Sequence, residues 1–575
     1  ELGGKRVRYR ALVERLLARG VPLDGVGHQF HVNLSMPVVA LEAALAAFED
    51  LPVVQAVTEF DVPTGTPVTQ ALLIDQGYYF RDAFNVFRSH SDDLFSVTMW
   101  GLTDGRSWRS GNGAPLIFDD NLQAKPAYYG AVGGADLPAR IRTANVFAGD
   151  VPLDGSATTS LEWSKLPLHP VEDVAGFQLR WAPDHLTAYV AVTDGDAEAA
   201  DAVTFELEGT TYTVGRDGST TGGATAVVSP QDGGYAVVAH LPLDSAQEGD
   251  TLQLDVRVTD GDTTSGWNTP GGMGTLSLVE ELSYVEVVEA RTAPVIDGAV
   301  DSVWADANAV TTDKQILGTG GAIATVRTLW RDDKLYVLAE VADPIVDVSG
   351  SDPWIQDSVE IFVDAGNFKN GTYRFDDTQI RINADNVVSF GTGDEAFQAS
   401  RLESAATRTS TGYTVEAAID LLEYGGLGTF HGLDFQVNDG TDGQRTAIRN
   451  WADPTGIGYQ TTARWGVAQL VSAPAAPVIR NLTPPFILGL PFQGLPVLAL
   501  PGKWSVNHVT FTYQWQRDGV DIKNATSPIY LIKGADVGHD LTVVVTAHAK
   551  GYEPASAASD PMRVRSLKDL LKLLL

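Results

Sequence analysis

The sequence predicts a multidomain protein in which part of a (β/α)8 barrel, the TIM-barrel fold, precedes a series of antiparallel β-sandwiches. Up to about residue 136, helical stretches alternate with apolar, strand-like stretches that end in polar residues and Pro- or Gly-containing loops. Such loops are typical of the carboxyl-terminal rim of a barrel. From residue 137 onward, short alternating segments rich in Val, Thr and Tyr are separated by Gly/Asp turns, a pattern that indicates antiparallel sandwiches.

The barrel-like region carries polar and aromatic residues at the ends of its predicted strands. Glu59 lies near the end of an apolar stretch that begins at Leu51. The preceding strand finishes with Gln29 and His31, and the following strand finishes with Trp100. Catalytic residues of a (β/α)8 barrel come from the carboxyl ends of several strands. Glu59 is therefore the leading candidate for a catalytic residue.

Four motifs of this region occur in order along the chain: GVGHQFH (25–31), TEFD (58–61), WGLTDGRSW (100–108) and PLIFDDNLQAKPAYYG (115–130). Together they resemble the C-terminal part of glycoside hydrolase family 10, the retaining endo-1,4-β-xylanases. The resemblance implies that Glu59 is the nucleophile and that Gln29 and His31 hold it and the substrate in place. It also implies that Trp100 and Trp108 line sugar subsites. A lone glutamate at a strand end is more often a solvated loop residue, but the neighbouring motifs favour the catalytic interpretation.

A retaining glycosidase needs a second carboxyl group, about 5 Å from the nucleophile, as general acid/base. In the family this glutamate lies in a Trp-x-Val-x-Asn-Glu segment, which does not occur in this sequence. Only three of the roughly eight strands that close a barrel are predicted here. We therefore expect residues 1–136 to be the C-terminal part of a catalytic barrel, and the chain to be an inactive fragment of a longer enzyme.

Composition excludes several other classes of function. A length of 575 residues suggests about three to five domains. The net charge of -33 and the pI near 4.5 argue against nucleic acids and anionic membranes as partners, because both bind cationic surfaces. The sequence has no cysteine, so disulfides and thiol chemistry are excluded. It shows no apolar run of about 18 residues that could span a membrane and no recognisable signal peptide.

An internal repeat relates the two predicted sandwich domains, residues 137–282 and 283–472. The corresponding segments are 179–194 with 329–343, 201–207 with 357–364, 234–243 with 412–421, and 274–280 with 465–471. The offset between the copies grows along the chain, so the second copy carries the insertions. We expect two sandwiches of one family, the first of them shorter.

The second copy opens with Ile-Asp-Gly-x-x-Asp-x-x-Trp (296–304) and continues with PWIQDSVEIFVDAGNFKNGTYRFDDTQIRIN (353–383). These segments resemble carbohydrate-binding module family 9. The resemblance implies that two aromatic rings clamp a terminal sugar while polar groups bind its hydroxyls. The matching residues are Trp354 and Tyr459 for the clamp, and Glu360, Arg381, Asn383 and Arg445 for the polar set. Strand alternation is expected to place Trp354 and Glu360 on one face, and to give Arg381 and Asn383 a common face. Tyr459 stands where the family usually has tryptophan.

Trp354 has two interpretations, an exposed sugar platform and a core tryptophan. The apolar C–H faces of a pyranose stack on an aromatic ring, which favours an exposed tryptophan in a binding site. Burial is expected instead for Trp304 and Trp330. A position next to a proline, just before a strand, favours the platform for Trp354. In the first copy the position aligned with Trp354 falls near Glu198, and the position aligned with Glu360 is Thr204. That copy is therefore expected to have lost the clamp.

No cofactor is expected for catalysis. Family 9 modules often carry structural calcium, and carboxylates such as those of Asp297 and Asp357 are available, but no spacing singles out the ligands. After an Ala/Pro linker (472–477), residues 473–565 resemble bacterial immunoglobulin-like (Ig-like) repeats, with Trp515 as the expected core tryptophan. The tail, residues 566–575, is either a marginal amphipathic helix or a truncation edge.

Two functional classes follow from the sequence. In the first, the parent protein is an extracellular endo-1,4-β-xylanase. In the second, the chain as it stands is a carbohydrate-binding and surface-display protein without catalysis. The expected partners are xylan, with cellulose chain ends as a second candidate, and the Ig-like region suggests association with a cell wall. The preferred decoration of the xylan does not follow from the sequence.

Overall fold

The computed structural model describes residues 2–34, 36, 38–369, 371, 373–374, 376–391, 395–473 and 477–574. The chain divides into two compact units, Glu1–Ser472 and Ala473–Leu575. Most of the predicted Ala/Pro linker, residues 474–476, lies outside the described residues.

The N-terminal region of the first unit alternates helices with parallel strands. Its elements are α1 (Leu2–Ala18), β1 (Gly25–His31), α2 (Val39–Ala46), β2 (Val54–Asp61), α3 (Gln70–Ser89), β3 (Leu94–Met99) and α4 (Pro126–Ala131). The three strands form one parallel sheet in the order β1-β2-β3. Thr69 caps α3 by accepting a hydrogen bond from the backbone N–H of Leu72 at 3.2 Å. Phe80 and Phe87 on the apolar face of α3 pack against β2, which fixes the helix on one side of the sheet.

Strand β2 contains a bulge at Thr58, because its pairing with both neighbouring strands skips residues there. In a regular strand, Val57 and Glu59 would share a face. The extra residue allows Val57 and Phe60 both to enter the apolar core, where each is 0% exposed. Glu59 and Asp61 therefore lie on the other face of the sheet, where β1 presents its own polar residues. Bulges of this kind re-aim side chains next to functional sites.

The first sandwich is a single eleven-stranded sheet that folds over one core. Its strands are β4 (Thr143–Ala148), β5 (His169–Val171), β6 (Ala175–Ala182), β7 (His185–Thr193), β8 (Ala202–Leu207), β9 (Thr210–Gly215), β10 (Thr225–Gln231), β11 (Gly234–Pro242), β12 (Thr251–Asp260), β13 (Thr263–Gly266) and β14 (Gly274–Glu281). The strand order is β10-β11-β7-β6-β4-β14-β12-β8-β9, with β5 paired to β6 and β13 to β12.

The described part of the second sandwich contains thirteen strands and one short α-helix. They are β15 (Tyr284–Glu289), β16 (Asn308–Thr311), β17 (Lys314–Leu317), β18 (Ile323–Arg331), β19 (Lys334–Ala342), β20 (Ser358–Asp364), β21 (Thr378–Asn383), β22 (Val388–Phe390), α5 (Glu395–Ser400), β23 (Leu402–Thr409), β24 (Gly412–Asp420), β25 (Phe430–Thr441), β26 (Gln444–Asn450) and β27 (Gly466–Val471). The main path is β22-β21-β20-β25-β27-β15-β18-β19-β24-β23. Trp304 and Trp330 are buried in this sandwich, as the sequence predicts.

The two sandwiches share one topology. Read from β9 and from β21, their sheets run β9-β8-β12-β14-β4-β6-β7-β11-β10 and β21-β20-β25-β27-β15-β18-β19-β24-β23. Each segment pair of the sequence repeat occupies the same place in both paths. The additional strands of the second copy are those of its insertions.

The second unit consists of short antiparallel strands around Trp515, whose side chain is fully buried. Its elements are β28 (Asn481–Thr483), β29 (Phe486–Leu488), β30 (Pro496–Leu500), β31 (Lys503–Trp504), β32 (Thr510–Arg517), β33 (Val520–Asp521), β34 (Ile529–Leu531), β35 (Asp540–His548), β36 (Ala555–Ala558), β37 (Met562–Arg563) and α6 (Leu567–Leu574). The tail thus forms a helix. Within the described part of the chain, no helix is both long enough and apolar enough to cross a membrane.

Candidate functional site

Glu59 lies at the carboxyl end of β2, directly opposite Gln29 of β1. Gln29 Nε2 donates a hydrogen bond to Glu59 Oε1 at 2.6 Å, and His31 Nε2 lies 2.9 Å from Oε2. The Glu59 side chain keeps 16% of its surface exposed. Two side chains of the neighbouring strand therefore hold this carboxylate in one orientation at an accessible edge of the sheet.

Asp61 is the other carboxylate on this face of β2, and its side chain is fully buried. Its Oδ2 lies 2.9 Å from His31 Nδ1 and accepts a hydrogen bond from Trp108 Nε1 at 3.1 Å. Its Oδ1 accepts one from Arg109 Nη1 at 2.8 Å. Asp61 thus fixes the orientation of the imidazole that contacts Glu59.

Asp61 and Arg109 are site residues that the sequence analysis missed. Asp61 belongs to the TEFD motif and lies two residues after Glu59, so strand periodicity could have placed it on the same face. Arg109 carries no comparable signal. It reaches the site because the loop after β3 turns back, and its guanidinium also donates to the carbonyl oxygen of Val32 at 2.8 Å.

The two predicted aromatic platforms occupy different places. The Trp108 ring lies edge-on to the His31 imidazole, with 4.9 Å between the ring centroids, while the residue is 66% exposed. Trp100 follows the last residue of β3 and is 44% exposed. Trp108 is therefore joined to the Glu59 site by direct contacts, whereas Trp100 offers an open apolar surface at the end of the next strand.

The second sandwich contains a buried polar network centred on Glu360, which is 1% exposed. Glu360 lies on β20 directly opposite Arg381 of β21 and Gln436 of β25. Its Oε1 accepts hydrogen bonds from Arg381 Nε at 2.8 Å and Asn438 Nδ2 at 2.7 Å, and its Oε2 accepts one from Gln379 Nε2 at 2.6 Å. Three strands thus contribute to one polar surface on the face opposite the core.

Asn383 and Arg445 connect this network to the segment before β20. Arg381 and Asn383 share a face of β21, as predicted, and Asn383 Nδ2 donates to Gln356 Oε1 at 2.8 Å. Arg445 Nη1 donates to the carbonyl oxygen of Trp354 at 3.2 Å. Burial lowers the pKa of Arg445, and the nearby Glu360 carboxylate opposes this shift. The sequence analysis missed Gln356 and the amide side chains on β21 and β25.

Trp354 does not share a strand with Glu360, so the prediction from strand alternation is wrong. Trp354 belongs to a short 3-10 helix, Pro353–Ile355, and β20 begins only at Ser358. The residue is 46% exposed, which excludes the core-tryptophan interpretation. Tyr459 is 55% exposed and lies within electrostatic range of Arg445, the residue that is bonded to the Trp354 backbone. Arg445 therefore contacts the backbone of Trp354 and interacts electrostatically with both Tyr459 and Glu360.

The first sandwich has different residues at the matching positions. Thr204 of β8 lies opposite Arg257 and Thr213, in the place that Glu360 occupies in β20. Glu198 is exposed and its backbone N–H donates to Asp201 Oδ2 at 2.7 Å. Neither residue offers an aromatic surface for stacking.

Three aspartates, Asp194, Asp201 and Asp260, come together in the first sandwich, and the Arg216 guanidinium lies among them. Arg216 Nη1 donates to Asp194 Oδ2 at 2.8 Å and to Asp201 Oδ2 at 3.1 Å. The backbone N–H of Arg216 also donates to the Asp201 carbonyl at 2.9 Å. A protein cation therefore compensates this acidic cluster.

The second sandwich has Asp343, Asp357 and Asp439 at the matching positions. Among its described residues no Lys or Arg forms an ion pair with these three, although Arg408 interacts electrostatically with Asp357. Ala384 stands in the place of Arg216, because its backbone N–H donates to the Asp357 carbonyl at 3.1 Å. Burial raises the pKa of Asp357 to about 7, and the charges of Asp343 and Asp439 add to the shift. Asp343 Oδ2 is buried and has no hydrogen-bond partner in the described structure. Asp297, the other carboxylate considered for calcium, is exposed, and its backbone N–H donates to Glu416 Oε2 at 3.1 Å.

Two family models match separate parts of the chain. Residues 1–133 match the model described as glycosyl hydrolase family 10. Residues 296–473 match the model described as carbohydrate family 9 binding domain-like. The first sandwich lies between these two matches.

The chain is also similar to curated proteins over most of its length. Exoglucanase XynX of Acetivibrio thermocellus is 32% identical over 507 residues, which cover 82% of this chain and 46% of that protein. Endo-1,4-beta-xylanase A of Thermoanaerobacterium saccharolyticum is 31% identical over 507 residues, which cover 82% of this chain and 44% of that protein. The chain thus spans less than half the length of these relatives.

Solved structures are also similar to parts of the chain. A family 9 carbohydrate-binding module from Caldicellulosiruptor kristjanssonii in complex with cellotriose is 34% identical, with 33% of this chain and 94% of that chain covered and a TM-score of 0.31. A family 10 glycoside hydrolase from Paenibacillus barcinonensis is 35% identical, with 23% of this chain and 43% of that chain covered and a TM-score of 0.23.

Proposed function

The chain carries part of a glycosyl hydrolase family 10 domain and a family 9 carbohydrate-binding domain, and we propose that it is a portion of a secreted, modular endo-1,4-β-xylanase that hydrolyses xylan with retention of configuration. The observation that carries the proposal is the position of Glu59, which two side chains of β1 hold at the carboxyl end of a parallel strand. The similarity to several curated endo-1,4-β-xylanases supports the choice of substrate.

In the proposed mechanism Glu59 is the nucleophile that forms the covalent glycosyl-enzyme. Gln29 and His31 orient its carboxylate toward the anomeric carbon. Asp61 positions His31 from the opposite side of the imidazole. Trp100 and Trp108 supply apolar surfaces against which xylose rings stack.

Asp61 is unsuited to the role of acid/base. Its side chain is fully buried, and its two oxygens already face Arg109, Trp108 and His31. A general acid must instead reach the leaving-group oxygen on the other side of the scissile bond. We propose that this carboxyl group comes from a part of the longer enzyme outside these 575 residues.

The isolation of Glu59 from a usable second carboxyl favours a second candidate function for the 575-residue chain by itself. In that case the chain binds carbohydrate without cleaving it. The described barrel region contributes three parallel strands to its sheet. The described hydrogen-bond partners of the Glu59 carboxylate are the side chains of Gln29 and His31, and neither is a carboxylate.

We propose that the second sandwich binds the end of a xylan or cellulose chain. The exposed rings of Trp354 and Tyr459 form the clamp, and the network around Glu360 and Arg381 supplies directional hydrogen bonds to hydroxyls. Because the carboxylate and guanidinium already bond to each other, their positions are set before a sugar arrives. Asn383 and Arg445 hold the adjoining segment.

The nucleophile is tested on the full-length parent enzyme with an activated 2-deoxy-2-fluoro-xylobioside, which traps glycosyl-enzymes. Peptide mapping is expected to find the label on Glu59. A label on another carboxylate, or a fully active parent that acquires no label, contradicts the proposed assignment. The same labelling of the 575-residue chain, where no turnover is expected, distinguishes the two candidate functions.

We further propose that calcium stabilises the second sandwich at Asp343, Asp357 and Asp439. These residues fit a calcium ion because they offer only oxygen atoms, one of them buried without a partner, where the first sandwich places a guanidinium. Bound calcium would neutralise the clustered carboxylates. Removal of calcium with a chelator is expected to lower the melting temperature, and Asp343→Asn is expected to abolish that effect. An unchanged melting temperature after chelation contradicts the proposal.

For the rest of the protein we propose an extracellular location, with the second unit as an Ig-like spacer associated with the cell wall. The antiparallel strands around the buried Trp515 support this proposal. Fractionation of the producing cells tests it, and recovery of the protein only from the cytosol would contradict it.

A further inference from the structure

Two histidines and an aspartate meet on the face of the first sandwich opposite its core. His185 begins β7, His240 lies in β11, and Asp150 follows the end of β4. His240 is opposite Thr187, two residues after His185 and on the same face of β7. The two imidazoles are therefore diagonal neighbours across the strand pair, with 4.1 Å between their ring centroids.

The separations within this cluster suit a transition-metal ion. His185 Nε2 lies 3.0 Å from Asp150 Oδ1, and His240 Nε2 lies 3.3 Å from the same oxygen. Ligand atoms that surround a zinc ion tetrahedrally at about 2.0 to 2.1 Å are roughly 3.3 Å apart. Both histidine nitrogens thus already lie near the distance from Asp150 Oδ1 that a shared ion requires, and the three ligand atoms all lie within 4.8 Å of one another.

A second carboxylate, that of Asp184, contacts the other ring nitrogen of His185. His185 Nδ1 lies 2.8 Å from Asp184 Oδ1. Histidines that bind metals usually donate their second N–H to a carboxylate or carbonyl, which fixes the ring and raises its basicity. Asp150 Oδ1 also accepts from Thr187 Oγ1 at 3.3 Å, and His240 Nε2 lies 2.9 Å from the Val151 carbonyl oxygen. A metal ion on His240 Nε2 would take the place of the proton that this nitrogen donates to the Val151 carbonyl oxygen.

The cluster is open to solvent on one side. The side-chain exposure is 46% for Asp150, 16% for His185 and 21% for His240. An ion can therefore enter, and water can occupy a fourth coordination position. Imidazole nitrogen is a ligand for zinc and its neighbours in the transition series, whereas calcium and magnesium prefer oxygen.

We propose that Asp150, His185 and His240 bind one Zn²⁺ ion through Asp150 Oδ1, His185 Nε2 and His240 Nε2, with water as the fourth ligand. The ion would join the segment after β4 to strands β7 and β11 and so stabilise the first sandwich. This site goes beyond the proposed function, because it lies outside both regions that match a family model and takes no part in binding or cleaving sugar.

The test uses the full 575-residue chain, stripped of metals and saturated with CaCl₂ so that oxygen-only sites are filled. ZnCl₂ is titrated calorimetrically into the wild type and into His185→Gln, His240→Gln and Asp184→Asn. His539→Gln is the matched control, because His539 also contacts a single carboxylate, that of Asp518, but lies in the second unit.

The wild type is expected to bind one equivalent of zinc that both histidine variants lose, with a weakening of about 100-fold or more. Loss of the carboxylate behind His185 should weaken binding by about 10-fold. The control should bind as the wild type does. If the histidine variants keep the wild-type stoichiometry and affinity for zinc, the cluster does not bind the ion and the proposal is wrong. Asp184 is 84% exposed, so its variant decides the question even if a histidine variant does not fold.

Discussion

Glu59 and Asp61 share one imidazole. His31 Nε2 lies 2.9 Å from Glu59 Oε2, and His31 Nδ1 lies 2.9 Å from Asp61 Oδ2. One carboxylate is accessible and the other is fully buried, so the same ring connects the candidate nucleophile to the interior of the protein. This asymmetry separates the roles of two acidic residues that stand only two positions apart.

The first prediction concerns Glu59, the proposed nucleophile, in the full-length parent enzyme. Glu59→Gln should abolish formation of the glycosyl-enzyme and leave xylan binding largely intact, because the amide keeps the shape but cannot attack. His31→Gln should have a milder effect. Asp61→Asn should lower kcat by about 100-fold, since it disturbs the orientation of His31 without touching the substrate. Steady-state kinetics and mass spectrometry of trapped enzyme give the readouts. Near-normal turnover of Glu59→Gln would refute the assignment.

The second prediction is that residues 1–135, expressed alone, neither unfold cooperatively nor hydrolyse xylan. The sheet described for this region has three strands, so β1 and β3 each leave an edge unpaired. The polar face around Glu59 would also remain without the layers of side chains that fill a closed barrel. Thermal unfolding followed by circular dichroism and a reducing-sugar assay provide the measurements. Either a sharp transition or reproducible sugar release would show the prediction to be wrong.

The third prediction assigns sugar affinity to Trp354. Trp354→Ala should remove about 1 to 3 kcal/mol of binding free energy for xylo- or cello-oligosaccharides, because an exposed indole loses its apolar contact with the ring. Tyr552→Ala, which removes an exposed ring from the second unit, serves as the control and should leave the affinity unchanged. Calorimetric titration of the full chain measures both. An unaltered affinity in Trp354→Ala would exclude the clamp.

The fourth prediction exploits the difference between Arg216 and Ala384. Arg216→Ala should destabilise the first sandwich by about 3 kcal/mol in the presence of a chelator, because Asp194 and Asp201 lose their buried counter-charge. Calcium should restore part of that loss. Arg257→Ala is the control, since Arg257 pairs with Asp255 away from the three-aspartate cluster. Denaturant unfolding with and without calcium tests this, and equal calcium responses in both variants would contradict it.

The fifth prediction is a pH dependence caused by His431, which is 1% exposed. Burial lowers the pKa of His431 to about 4. The unfolded chain therefore binds a proton near pH 6.5 that the folded chain binds only near pH 4. This group's contribution to stability is present above pH 6.5 and is lost as the pH falls toward 4, by about 3 kcal/mol in total.

His431→Gln should show a smaller loss of stability over that interval, since glutamine does not titrate. Comparing the two proteins by urea unfolding at several pH values cancels the titration of all other groups. Parallel stability curves for the variant and the wild type would mean that His431 is not responsible.

Local patterns in the sequence were sufficient for the main architecture. Alternating apolar residues predict the strands of both sandwiches, and similar segments spaced along the chain predict that the two share a topology. The motifs alone also predicted that Gln29 and His31 hold Glu59, and the structure places both side chains in contact with its carboxylate. The catalytic role of Glu59 stays a prediction. The Ig-like nature of the second unit stays a prediction, although the burial of Trp515 agrees with its expected role as a core residue.

Tertiary structure decided which side chains meet. The bulge at Thr58 sets the face on which Glu59 lies, and period-2 alternation cannot indicate such a bulge in advance. The turn that carries Trp354 is held by Arg445, which is distant in sequence. Likewise, only the fold shows that Ala384 occupies the place of Arg216. In each sandwich the backbone N–H of this residue donates to the carbonyl oxygen of the corresponding aspartate, Asp201 or Asp357. Periodicity is a property of neighbouring residues, whereas register and loop return depend on packing between distant segments, so a single sequence determines the strands of this protein but not the contacts of its sites.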